Sequence, residues 1–199
     1  MSHFNDYSKD TLSLNGVENP IHQSDITNCI SMLYCSSLRR YHMTGHITSM
    51  FRTADKLGLS LSPSEKLAIL FHDVIYVTGQ HDNEGRSIDF MIALMAGYGV
   101  PLTEWCWASR CIRETANFMN YVEDESTHMV LDLDLASLAD PFDDFMDTNE
   151  LIMEEFKANH GDRIKFLSGF LNKDKIFYRL TDLEPLARNN IERYTKEYS

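Results

Sequence analysis

No two cysteines of this chain have the C-x-x-C spacing: Cys29, Cys35, Cys106 and Cys111 stand apart. That excludes a thiolate zinc knuckle and fits a reducing compartment. No apolar run approaches the ~18 residues that a membrane-spanning helix needs. The opening MSHFNDYSKD is polar and acidic, unlike a signal peptide. The expectation is therefore a soluble, cytoplasmic protein with no membrane partner. Positive charge is scarce, with 18 Lys and Arg against 30 Asp and Glu and a net charge of -12. Broad nucleic-acid binding is excluded, because neutralising phosphates takes a surplus of cations. A small phosphorylated substrate is not excluded, since a metal ion and a few arginines supply positive charge locally. Strand signals are scarce as well, and there is no repeat and no low-complexity tract.

The chain does have an average globular composition, with 43% hydrophobic and 24% charged residues. Its length suffices for one domain with a core of its own. Residues 1–22 lack periodicity and read as an N-terminal arm; residues 23–199 read as the domain. From Ser24 the pattern turns helical, with Ile26, Ile30, Leu33 and Tyr34 on one face. A second helix carries RRYHMTGHITSMFRTADKLG and stops at Gly58. A third opens on Ser62, Pro63 and Glu65, a capping-box arrangement, and its run through Leu67, Ile69, Leu70 and Phe71 marks it as buried. Further helices are expected over 83–96, from Pro101 to about Asn117, around 128–138, from Asp140-Pro141 to about His160, and in the last third. Cys106 and Cys111 fall in an apolar helical pattern and read as small core residues. The fold class is all-α, a bundle of about eight to ten helices.

Polar groups interrupt these apolar faces in three places. His42 and His46 are four apart, which on one helix places them one turn apart on the same face. His72-Asp73 ends the most hydrophobic helix, where an unpaired carboxylate is costly. Asp132 and Asp134 alternate with Leu131, Leu133 and Leu135. A divalent ion is one partner that satisfies such groups. A set of two histidines and two aspartates suits Mn, Fe, Co, Ni or Zn, and Mg where water fills more positions. Such a set leaves room for a coordinated water, which loses its proton far more readily than free water. Phosphate oxygens call for cationic donors, and Arg39, Arg40 and Arg86 flank these motifs. Tyr41, Tyr76 and Phe177 can stack a base or serve the core.

The order His46, His72-Asp73, Asp134 resembles the signature of the HD superfamily of metal-dependent phosphohydrolases. RRYHMTGHI, LAILFHDVIY, DNEGRS, DLDLASLA and LEPLARNNI resemble a bacterial and phage family of predicted HD phosphohydrolases, over about Arg39 to Arg193. YHMTGH is similar to the Y-H-N-x-x-H element of cyclic-nucleotide phosphodiesterases, with Met43 in place of the Asn. The resemblance implies an HD-type helical bundle with His46, His72, Asp73 and Asp134 as ligands of one or two metal ions, and His42 as the acid that protonates the leaving oxygen. It selects Asp134 over Asp132, which becomes an acceptor orienting a ligand or water. Asp82 or Glu84 would position the attacking water or a second ion's waters; the simpler role for Asp82 and Asn83 is to cap the next helix. His81 would be a ligand of a second ion or a solvated loop residue. Thr115 matches a family Thr, but the His that usually follows it is missing, and His128 is too far along to replace it. Arg163 and Arg188 resemble family arginines and would bind substrate.

The implied function is hydrolysis of a phosphoester or phosphoanhydride in a nucleotide or similar small molecule, by a water activated on the metal. A cyclic or 3′,5′-linked nucleotide is the alternative substrate, and a nucleotide-sensing protein with weak or no turnover the alternative class. A homo-oligomer is compatible with the sequence.

Overall fold

A computed structural model of the chain describes residues 2–120 and 122–199. It is all-α, with ten helices among the described residues: α1 (Ser2–Leu14), α2 (Pro20–Tyr34), α3 (Thr44–Lys56), α4 (Pro63–Phe71), α5 (Asn83–Ala96), α6 (Leu102–Thr115), α7 (His128–Leu135), α8 (Phe142–Phe156), α9 (His160–Leu171) and α10 (Glu184–Tyr198). Short 3-10 turns occupy Ala136–Ala139 and Thr181–Leu183. Among the described residues there is no strand, and no helix is long and apolar enough to cross a membrane.

The middle of the bundle is α4. Ser62 caps it, accepting from the Glu65 amide while the Glu65 carboxylate accepts from the Ser62 amide, and Pro63 stands in the first turn where its missing N–H costs nothing. Leu67, Ala68, Ile69, Leu70 and Phe71 are all fully buried. A helix apolar on every side needs neighbours on every side, and α1, α3, α5, α6 and α7 supply them. Beyond this layer, α9 packs on α10, and α8 and α10 flank the 136–139 turn.

Residues 2–22 are not an arm. Phe4, Ser8, Thr11, Leu12 and Asn15 are buried at helical spacing along and just after α1, and Val17 is buried behind them. Half of this stripe is small and polar, so hydropathy alone missed it. Its polar groups pair inside the interface: Ser8 Oγ lies 2.8 Å from Thr27 Oγ1, and Asn15 Nδ2 donates to the carbonyls of Thr11 and Pro63. Tyr7 stacks on Phe51 with ring centroids 4.7 Å apart. The next helix starts at Pro20 rather than Ser24, capped by Asn19, whose side chain accepts from the Ile21 amide.

Two more boundaries differ from expectation. The helix carrying His46 begins only at Thr44, so His42 precedes it and the two histidines do not share a helix face. The amides of Arg40, Tyr41 and His42 all donate to one carboxylate oxygen, Glu155 Oε2, at 2.7, 2.9 and 3.2 Å. Three consecutive amides turned to one acceptor cannot also follow a helical ladder. The helix after Pro141 ends at Phe156, not His160. Lys157 takes the left-handed conformation with φ 52°, and an Asn159–Asp162 capping box starts α9 at His160. Cys111 is buried as expected, whereas Cys106 is exposed.

Candidate metal centre

Three helix ends and one turn deliver the polar groups. His46 lies in the first turn of α3, His72 caps the C-terminus of α4 with Asp73 just beyond it, and Asp134 lies in the last turn of α7. His46 Nε2 is 2.9 Å from Asp134 Oδ1 and 3.3 Å from His72 Nε2. His72 Nε2 is 3.0 Å from Asp73 Oδ2 and 3.5 Å from Asp134 Oδ1. Ligand atoms of His46, His72 and Asp134 all lie within 4.8 Å of one another. Neighbouring donors around a first-row ion at ~2.1 Å stand about 3.0–3.4 Å apart, so this spacing is that of a coordination shell.

The donor chemistry fits a divalent ion. His72 Nδ1 lies 3.0 Å from the Ile69 carbonyl, and donating to it leaves the lone pair on Nε2, facing the cluster. No Lys or Arg pairs with Asp73 or Asp134 among the described residues, so only imidazoles offset these carboxylates. Burial opposes charge on His72, Asp73 and Asp134, yet attraction within the cluster outweighs it. Asp73 is held at about 2, chiefly by His72, and Asp134 lies well below the usual carboxylate range through His46 and His72. Burial works against a charged His72 too, but Asp73 and Asp134 hold its pKa well above the ordinary histidine value.

His42 faces the cluster from the preceding turn, its ring centroid 5.9 Å from that of His46. Its Nδ1 lies 2.5 Å from Glu155 Oε1, and its ring stacks on Tyr76 at 4.1 Å. Glu155 went unnoticed in the sequence, where it is one acid among several at the end of a helix more than a hundred residues from His42. Buried, it fixes both the backbone of the 40–42 turn and the ring of His42. Glu84, in the first turn of α5, is half-buried; burial raises its pKa, and Asp73 and Asp134 push the same way. It therefore sits in the electrostatic reach of the cluster.

A cavity of about 320 Å³ opens beside these groups. Asp134 and His42 border it, and so does Arg163, at the start of α9. Arg163 is buried, with its Nε donating to Asn149 Oδ1 and its guanidinium 4.9 Å over the Phe166 ring. Burial lowers its pKa to about 10, which leaves it cationic at neutral pH.

Several expected site residues do other work. Arg39 does not offer its guanidinium to a phosphate: it is buried, donating to the carbonyls of His42, Asp73 and Val74 and lying between the rings of Tyr34 and Tyr76. It ties the His42 turn to the His72-Asp73 segment. Arg40 forms a surface pair with Glu154 at 3.5 Å. Arg188 pairs with Glu184 and donates to the carbonyls of Leu171, Lys173 and Asp174 at the end of α9. Arg86 and Asp82 are exposed, and the Asp82 side chain makes no cap hydrogen bond. In the same motif, Asn83 closes the loop on Val77 and Ser87 bonds both polar groups of the Ile75 backbone.

Asp132 points its carboxylate at the 178–180 loop. Its carboxylate accepts from the amides of Tyr178, Arg179 and Leu180. His81 is exposed, Thr115 donates to the Ile112 carbonyl, and His128 stacks on Tyr178 with Nε2 at 2.8 Å from the Val122 carbonyl. Phe177 is core, whereas Tyr41 and Tyr76 line the cavity.

Fold and site together define an all-α protein in which His46, His72 and Asp134 form a cluster that could hold a divalent ion, with Asp73 beside His72. The chain matches no protein-family model, no curated protein and no solved structure.

Proposed function

We propose that this chain is a metal-dependent phosphohydrolase of the HD type, acting on a nucleotide or similar phosphorylated small molecule. The observation that carries the reading is the convergence of His46, His72 and Asp134 at coordination spacing, with the Asp73 carboxylate 3.0 Å from His72, beside a cavity that also holds His42 and Arg163. A divalent ion held by those four would polarise a phosphoryl oxygen and lower the pKa of a coordinated water. Arg163 would neutralise phosphoryl charge. Glu84 would orient the attacking water. Glu155 accepts the hydrogen bond from His42 Nδ1 and locks the ring, which leaves Nε2 for proton transfer to the leaving oxygen. A cyclic or 3′,5′-linked nucleotide would use the same groups, with His42 protonating the oxygen released on opening.

Metal analysis and a phosphate-release screen with Mn, Fe, Co, Ni, Zn and Mg test this. His46→Ala loses bound metal; His42→Ala keeps it and loses ~10²–10⁴ in turnover. A chain that binds none of these ions and releases no phosphate would overturn the reading. Metal binding without any turnover would turn it to a sensing protein.

A further inference from the structure

The cavity beside the cluster has one cation and a wall of rings. Tyr41, Tyr76, Phe118, Phe156, Phe166 and Phe170 line it. Phe156 and Phe166 are 44% and 38% exposed, so two large apolar rings stay partly in water. Among the described residues, Arg163 is the one Lys or Arg that lines the cavity; it is 8% exposed, and no carboxylate of those residues stands within ion-pair distance of it. A desolvated guanidinium without a counter-ion is costly, and an anion in the cavity would remove that cost. Arg39, Arg40 and Arg188 are committed elsewhere. Asp162, at the same cavity, would repel a longer polyphosphate chain.

Size points the same way. About 320 Å³ is at the small end of ligand pockets, ~300–1,000 Å³, and about twice the ~150 Å³ that holds a benzene. One phosphoryl group with one compact ring system fits, whereas two further phosphates would face rings and a carboxylate.

We propose that the substrate is a phosphomonoester of a single aromatic group, an aryl or nucleoside monophosphate, with the phosphoryl group between the His/Asp cluster and Arg163 and the ring against Phe156 and Phe166. This rests on the phosphohydrolase reading. Hydrolysis frees a phenol or a nucleoside, and inorganic phosphate: water oxygen bonds to phosphorus as the ester P–O bond breaks, and the leaving oxygen takes the proton that the water gives up.

The test is calorimetric titration of the full-length, metal-loaded chain with phenylphosphonate and methylphosphonate, beside turnover of phenyl phosphate, AMP, ADP and ATP. Phenylphosphonate should bind at least about tenfold tighter than methylphosphonate. Phe166→Ala, at a partly exposed position, should close most of that gap, and Arg163→Lys should weaken both ligands alike. Phenyl phosphate and AMP should be turned over at least about tenfold faster than ATP, and their ratio separates a plain aryl group from a nucleobase. Equal binding of the two phosphonates, or ATP turned over better than AMP, would overturn the substrate assignment. Selective phenylphosphonate binding with no ester hydrolysed under any metal would overturn the hydrolase reading while the ring pocket stands.

Discussion

Glu155 and Arg39 carry charge into the protein for opposite ends. Arg39 spends its guanidinium on backbone carbonyls and so acts as a brace. Glu155 spends one oxygen on three amides and the other on His42. Burial pushes its carboxyl upward, but His42 and these amides outweigh burial and hold it at about 2, below its ordinary 4.5. A depressed carboxyl stabilises the folded state fully above the unfolded pKa, and that stability is lost as pH falls through the folded value. Glu155→Gln should therefore be less stable than wild type at neutral pH, with the gap closing from about pH 4.5 towards 2. Thermal melts across that range check it, and a gap independent of pH would contradict the assignment. Turnover should also fall ~10–100-fold with metal content unchanged, as when an orienting partner is removed.

At the level of elements, α7 serves two faces at once. Asp134 joins the cluster, while Asp132, two residues earlier, holds the 178–180 loop through its amides. A leucine-rich segment with two aspartates looks symmetrical in the sequence; neighbours drawn from distant segments break the symmetry. Asp132→Ala leaves those amides without their acceptor and should cost about 2–4 kcal/mol. Hydrogen exchange should speed up at Arg179 and Leu180, and bound metal should stay. Loss of metal at unchanged stability would show instead that Asp132 is a ligand. The turn at 36–43 makes the matching point: its tyrosine and histidine were legible as chemistry, but not its conformation, because the carboxylate that shapes it comes from α8.

For the whole molecule, α1 is part of the core. Deleting residues 2–17 would remove Phe4, Leu12 and Val17 and uncover the faces of α2, α3 and α4 that they cover. At ~1.5–3 kcal/mol per buried apolar side chain this approaches a typical total stability of ~5–15 kcal/mol. The truncated chain should melt at least ~10 °C lower or lose its cooperative transition; an unchanged melt would restore the arm. Periodicity, capping residues and scarce strand signals were enough to read the all-α class and the central place of α4, because they are local properties of the chain. The same local reading picked out His42 and His46, His72-Asp73, and Asp132 and Asp134, since polar groups in apolar runs stand out wherever the chain goes, and the family resemblance narrowed them to His46, His72, Asp73 and Asp134. Tertiary structure alone decided that Arg39 is a brace, that Glu155 governs His42, and that Asp132 holds the 178–180 loop. Each of those depends on which residue far along the chain arrives to satisfy a buried charge.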